Sequence, residues 1–283
     1  MIVRIKKHKV ITICIVIILF VIVFCIWQNN DIVVTKHEFA SDKVTKNLDG
    51  FRIVHISDLH NKDFGNRLVN HIKKQRPDII VVTGDLIDSR YTRVNIAIDF
   101  AKEATKIAPV YYVSGNHEGR SSEYSQLLLG LTNCGVTILD NSSTSINYNN
   151  SYFNLIGVVD PIFIEANEQE ISTIMKNTIN KNMNKNTLNL LLSHRPELLR
   201  LYSETSVDLV FSGHAHGGQF RIPFVEGVVA PNQGLLPKYT SGIHSMSETS
   251  MVISRGLGNS IIPIRVFNRP EVVVVTLRMN ERN

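Results

Sequence analysis

Gly213-His214-Ala215-His216-Gly217-Gly218-Gln219 is the stretch on which the reading of this 283-residue chain turns. Its histidines stand two apart, so on an extended segment both imidazoles leave the same side of the backbone, and the flanking glycines let the chain turn tightly around whatever the rings face. That is half of a metal site. Two imidazoles cannot complete the shell of a divalent ion, so the other ligands must come from elsewhere in the sequence.

The stretch follows an apolar run at 207–211, and similar Val/Ile/Leu-rich runs recur at 51–56, 79–83, 110–113, 136–139 and 188–192. Continuous rather than alternating apolarity predicts strands of a sheet buried on both faces. Helical spacing falls between them, over 66–75, 92–106, 122–133, 168–180 and 196–202. The segment 220–277 has Gly, Pro and strand-like runs at 251–254 and 272–277 but no helical pattern, and reads as an added β layer. The Asn-rich segments 147–150 and 180–189 read as turns or loops. There is no internal repeat and no second boundary, so the body is one α/β domain.

In such sheets the working side chains gather beyond the C-terminal ends of the strands. Those positions hold Ser57-Asp58-Leu59-His60, Gly84-Asp85-Leu86-Ile87-Asp88, Ser114-Gly115-Asn116-His117-Glu118 and Ser193-His194-Arg195-Pro196. Taken singly, each has an ordinary explanation: Asp58 and His60 as a solvated turn, Asp85 as a cap, Asn116 as a turn residue, His194 as a helix-flanking ring. Taken together, Asp, His and Asn in successive strand-end loops form the mixed oxygen and nitrogen donor set that suits two adjacent divalent ions bridged by a carboxylate.

The series Asp58-x-His60, Gly84-Asp85-x-x-Asp88, Gly115-Asn116-His117-Glu118, His194 and Gly213-His214-x-His216 resembles the calcineurin-like metallophosphoesterase superfamily over nearly all of 51–277. Ser193-His-Arg-Pro-Glu197, Ser254-Arg-Gly-Leu-Gly258, Pro263-Ile-Arg265 and Arg269-Pro-Glu271 are similar to its membrane-anchored or exported bacterial branch. The resemblance implies a four-layered α/β sandwich, with two central mixed β-sheets flanked by helices, and a two-metal site. Asp58, His60, Asp85 and His216 would hold one ion and Asp85, Asn116, His194 and His214 the other, with Asp85 bridging. His117 would be the catalytic histidine facing a phosphoester, and Mn²⁺, Fe or Zn²⁺ would suit the donors. Many relatives carry Asp after this histidine to orient it; here Glu118 stands in that place, and its longer carboxylate can still accept from an imidazole. Arg195, His244 and Arg255 are candidates for substrate contact.

Residues 10–27 are eighteen positions without a charge, preceded by Arg4, Lys6, Lys7 and Lys9. That run approaches bilayer thickness and lacks the small-x-small pattern of a cleaved signal peptide, so it reads as an uncleaved anchor with the basic tail inside. The expected organisation is a cytoplasmic tail at 1–9, a transmembrane helix at 10–27, a stalk and first edge strand at 28–50, and an extracytoplasmic catalytic domain at 51–283. Setting the four tail charges aside leaves 26 of the 30 basic residues against 25 acidic ones. The body is nearly neutral, which argues against nucleic acid as a partner. Cys14 and Cys25 lie in the apolar run, and Cys134, alone in the body, reads as a small buried hydrophobe.

The expected function is therefore a membrane-anchored, two-metal phosphoesterase, with a phosphodiester favoured over a monoester, that hydrolyses its substrate with an activated water. Tethering near the membrane favours a lipid or cell-envelope substrate. A non-catalytic metal-binding scaffold on the same fold would be expected to have lost ligands, and none is lost. An amide- or ester-cleaving metallohydrolase would be expected to carry His-Glu-x-x-His, which is absent.

Overall fold

Strands whose residues are apolar at every position need cover on both faces, and that requirement shapes the molecule. The structure is a computed structural model that describes residues 2–222, 225–259 and 262–280. The chain runs through α1 (Ile2–Asn30), β1 (Val33–Ser41), β2 (Arg52–Ile56), α2 (Asn66–Gln75), β3 (Ile79–Thr83), α3 (Val94–Ala104) and β4 (Val110–Val113). A helical turn α4 (Asn116–Gly119), helix α5 (Tyr124–Asn133) and short β5 (Thr137–Ile138) lead into the hairpin of β6 (Ser142–Tyr148) and β7 (Ser151–Gly157). Then come α6 (Glu168–Asn182), β8 (Asn189–Leu192), α7 (Leu199–Ser203) and β9 (Leu209–Ser212). Two small ribbons follow, β10 (Arg221–Ile222) with β11 (Glu226–Gly227) and β12 (Val229–Ala230) with β13 (Gly234–Leu235), before β14 (Gly242–Met246), β15 (Thr249–Ile253) and β16 (Glu271–Met279).

Two six-stranded sheets result, in the orders β1-β16-β2-β3-β4-β5 and β14-β15-β9-β8-β7-β6. Both are mixed: β16 runs parallel to β1 but antiparallel to β2, while β7, β8, β9 and β15 are mutually parallel between antiparallel edges. Because side chains alternate along a strand, each sheet divides its residues between two cores. Ile79 and Val81 of β3 meet Leu190, Leu192, Leu209 and Phe211 of the other sheet in the central core. Ile80 and Val82 turn outward under α2, α3 and α5. Leu191 and Val210 turn outward under α6 and α7. The layers are therefore helix, sheet, sheet, helix, the sandwich that the resemblance implied.

Two sequence readings need correction. The segment 220–277 is not an added layer: β15 joins the second sheet beside β9, and β16 inserts between β1 and β2 of the first. Val272, Val273 and Val275 are wholly buried there, since both sheet faces are already covered. Periodicity also missed β6 and β7, whose Asn149 and Asn150 take φ of 47° and 61° in the left-handed pair that closes a two-residue hairpin.

Only Asp31 and Ile32 separate α1 from β1. The end of α1 is seated on the domain: Asn259 donates to Asn29 Oδ1 at 2.7 Å, Lys62 donates to the Asn29 carbonyl, and Arg269 binds Asp31 while stacking on Trp27 at 5.1 Å. Gln28 and Asn29 are buried by this contact, whereas the apolar helix before them is exposed.

Candidate metal centre

Seven side chains from five strand-end loops converge at one end of the two sheets. Asp58 and His60 follow β2, Asp85 follows β3, Asn116 opens α4 after β4, His194 follows β8, and His214 and His216 follow β9. All seven are buried. The loops are laced in pairs by backbone bonds, Asp58 N–H to Gly84 O at 3.0 Å and His60 N–H to Asp85 O at 3.0 Å on one sheet, Gly213 N–H to His194 O at 3.1 Å on the other. The sheets then approach so closely at this end that a Cβ on Gly213 would stand 1.8 Å from Ser57 Oγ, so only glycine fits there.

The backbone at the site is strained. Asp58, His60, Asp85, His214 and His216 have φ of 53°, 45°, 52°, 63° and 48°, in the left-handed region that side chains other than Gly, Asn and Asp rarely occupy. Such residues persist where surrounding contacts over-determine them, and they gather at functional sites. The Gly213–Gln219 stretch is therefore not extended, and its two histidines reach different neighbours through left-handed turns rather than through strand alternation.

His216 Nε2 lies 3.1 Å from His60 Nε2 and 3.3 Å from Asp58 Oδ1, and His60 Nε2 lies 3.5 Å from Asp85 Oδ2. In the second group His194 Nε2 lies 3.2 Å from Asp85 Oδ2, 3.2 Å from His214 Nδ1 and 3.2 Å from Asn116 Oδ1. Asp85 Oδ2 thus belongs to both groups. Its carboxylate is aimed by His117 N–H, which donates to Oδ1 at 2.8 Å, and that of Asp58 by His214 N–H at 3.1 Å from both oxygens.

This arrangement asks for positive charge. His194 shares Nδ1 with the Thr83 carbonyl at 2.6 Å, so in the neutral ring Nε2 is a lone pair facing other acceptors. Asn116 turns its oxygen toward the ring nitrogens; rotated, its amide nitrogen would donate to His194 Nε2 at 3.2 Å and His214 Nδ1 at 2.7 Å. With its oxygen inward Asn116 would offer a cation a ligand, and with its nitrogen inward it would donate to both rings. Burial, followed by the Arg195 charge, pushes His214 well below the usual imidazole range, and burial carries His216 down to about 3, so both rings are neutral donors. Burial works against a charged His194 too, but Asp85 raises that ring to about 10. A carboxylate between two imidazoles recruits a proton there, and a divalent ion meets the same demand. The donor set fits two such ions.

Among the described residues no hydrogen bond joins the Glu118 carboxylate to the His117 ring, contrary to the expectation that it orients that ring. It accepts instead from the backbone N–H groups of Asp85 and Leu86 at 2.8 Å, Gly115 at 2.8 Å and Ile87 at 3.3 Å. His117 is held by Ser89, whose N–H donates to Nδ1 at 3.0 Å, so the neutral ring carries its proton on Nε2. His60 and His117 stand edge to face at 4.5 Å, with Asp88 near both and neutralised by a two-pronged Arg90 contact at 3.0 and 2.7 Å.

The substrate-contact candidates all have protein partners. Arg195 is buried behind His214, clamped by Asp160 at 2.5 and 2.9 Å and donating to Asn232 Oδ1 at 2.6 Å. Arg255 pairs with Glu271 at 2.9 Å, and His244 on β14 sits against Ser241 O at 3.0 Å and the Tyr239 ring. Sequence reading missed Asp160, Asn232, Ser89 and Asn268. Asp160 had a signal: it follows β7 as the other site carboxylates follow theirs, and recognising the hairpin would have exposed it. Asn268, which donates to the carbonyls of His216 at 2.7 Å and Gln219 at 3.0 Å, had none.

The sequence profile of the calcineurin-like phosphoesterase family matches residues 51–218, more than half of the chain. The chain belongs to the calcineurin-like phosphoesterase family. It is a metal-dependent phosphoric ester hydrolase, and the scaffold reading falls away with that membership. Among curated relatives, the metallophosphoesterase YkuE of Bacillus subtilis is 27% identical over 251 residues, covering 86% of this chain and 85% of its own. The phosphodiesterase YaeI of Escherichia coli is 27% identical over 256 residues, covering 86% and 87%. Among solved structures, the phosphopantetheinyl hydrolase PptH of Mycobacterium tuberculosis has a TM-score of 0.47 at 14% identity, covering 73% of this chain and 89% of that one.

Proposed function

We propose that the chain is a two-metal phosphodiesterase anchored in the membrane by α1. The observation that carries the two-metal reading is the position of Asp85 Oδ2, 3.5 Å from His60 Nε2 in one group and 3.2 Å from His194 Nε2 in the other. Asp58, His60, Asp85 and His216 would hold one ion, and Asp85, Asn116, His194 and His214 the other. When bound, two divalent ions supply a nucleophilic water at neutral pH and neutralise charge on the phosphoryl oxygens, with Mn²⁺, Fe and Zn²⁺ all suited to these donors.

The chain's own residues do the rest. Asp85 and Asp58 are fixed by the backbone N–H groups of His117 and His214, so neither carboxylate must reorganise as charge develops. His117, with Nδ1 occupied by the Ser89 N–H, offers Nε2–H as a donor to a phosphoryl or leaving-group oxygen. Arg195 positions His214 from behind rather than meeting substrate. The preference for a diester draws support from the name of YaeI. The anchor draws support from Lys9–Asn30, 22 residues apolar enough to cross a bilayer, and the basic flank before it favours an extracytoplasmic domain acting on a lipid or cell-envelope phosphoester.

Asp85→Asn and His216→Ala should each lower hydrolysis of a chromogenic aryl phosphodiester by about 10²-fold or more, with loss of bound metal read by elemental analysis. Undiminished turnover in both variants would sink the two-metal reading.

A further inference from the structure

The metal loop is tied to the end of α1 by a short path. Asn268 Nδ2 holds the His216 carbonyl, and the next residue back, Phe267, packs its ring edge-on against Phe24 of α1 at 5.6 Å. Phe24 precedes Trp27 by one helical turn, about 4–5 Å along the axis. Any bilayer that surrounds the apolar part of α1 therefore also meets Phe267, which is 55% exposed. Counting one Cα step, two side chains and a hydrogen bond, the His216 ring lies within on the order of 15 Å of Phe267.

Backbone bonds carry the same edge outward. Arg221 N–H binds Val266 O at 3.0 Å, Val228 N–H binds Phe220 O at 2.9 Å, and Leu236 N–H binds Val228 O at 2.9 Å, joining both ribbons to the Phe267 loop. The linked segments expose Ile222, Val225, Leu235, Leu236 and Ile264 as well as Phe267, with Leu235 at 79% and Leu236 at 69%. Asn232, in the turn of the β12–β13 ribbon, contacts His214 Nε2 at 2.9 Å, so the ribbon that bears Leu235 reaches the metal centre. Large apolar side chains exposed on segments tied together in this way mark a surface for contact with a protein or a membrane. Lys62 and Arg67 reach carbonyls of the helix end while lying over the Phe64 ring, and Arg269 pairs with Asp31, so cationic groups border the exit of α1 as they do where a chain enters a lipid surface.

We propose that the 264–269 loop and the two ribbons β10–β13 form a membrane-docking collar, whose apolar side chains enter the phospholipid surface that holds α1 and seat the mouth of the metal centre on it. The inference rests on the reading of α1 as a membrane span and narrows the substrate to a phosphoester borne by a lipid, presented from the bilayer without leaving it.

Trp27 is the sole tryptophan, which makes depth measurable on the full chain. In vesicles of phosphatidylcholine with brominated acyl chains, native Trp27 should be quenched. Phe267→Trp and Leu236→Trp, each combined with Trp27→Phe, should lose emission to a similar degree. Tyr152→Trp in the same background, at the start of β7 and the far end of the sheet, should not. Quenching at Trp27 but none at 267 and 236 beyond the Tyr152 control overturns the collar and leaves the anchor standing; an unquenched Trp27 overturns the anchor and the collar with it. Independent of any substitution, a photoactivatable phospholipid should label peptides 220–236 and 264–269 of the native chain, and adducts confined to α1 would refute the proposal.

Discussion

At the scale of single residues, Glu118 shows how one carboxylate can build a site that it never enters. Four backbone N–H groups from the loops after β3 and β4 end on its two oxygens, and it is fully buried. Burial, and then the charge of Asp85, push its carboxyl up to about 7, while the N–H bonds from Gly115 and Asp85 pull the other way. Glu118→Ala leaves those donors unsatisfied in a dry interior and should cost about 3–5 kcal/mol, read as a lower denaturation midpoint. Glu118→Gln keeps one acceptor oxygen and should lose less. A Glu118→Ala protein as stable as the parent would refute this role. In the sequence, Glu118 is legible only as a neighbour of His117; that its carboxylate faces the backbone of 85–87 depends on how two strand-end loops pack. The ligand candidates were more legible, because Asp, His and Asn at successive strand ends is a pattern in one dimension.

At the scale of elements, β16 closes the first sheet, and its first residue fixes the closure. Glu271 accepts from Arg255 N–H at 3.0 Å, from the Arg255 guanidinium at 2.9 Å and from Thr35 of β1. Burial works to raise its carboxyl, but the Arg255 charge and the Thr35 bond hold it below the usual 4.5. A depressed carboxyl contributes stability that is present above its unfolded value and is lost as pH falls through the folded one. Glu271→Gln should therefore cost about 1.5–3 kcal/mol at neutral pH, and the gap from the parent should close as pH drops below about 4.5, measured by urea denaturation with chelator present. A gap independent of pH would assign the effect to packing. The sequence located the strand 272–277 but not its place between β1 and β2: an apolar run says that both faces are covered, not which neighbours cover its edges.

At the scale of the whole molecule, two residues between α1 and β1 leave no loose tether, and Arg269, Asn259 and Lys62 clasp the helix end. A chain starting at Asp31 should hydrolyse a water-soluble aryl phosphodiester at about the parent rate but lose on the order of 10²-fold on a membrane-borne phosphoester, since anchoring replaces diffusion with a high effective concentration. Equal turnover of the membrane-borne substrate by both would remove proximity from the argument. The sequence by itself determined the apolar helix, the order of strands and helices up to β9 apart from the β6–β7 hairpin, and the residue types of the centre, because each is set by local periodicity or by position at a strand end. Only the tertiary structure decided that Asp85 Oδ2 is shared by both groups, that Arg195 is bound behind His214 by Asp160, and that Phe267 stands beside Phe24. The physical reason is the same in each case. These contacts join segments far apart in the chain, and their distances follow from how two sheets pack together, which no local pattern encodes.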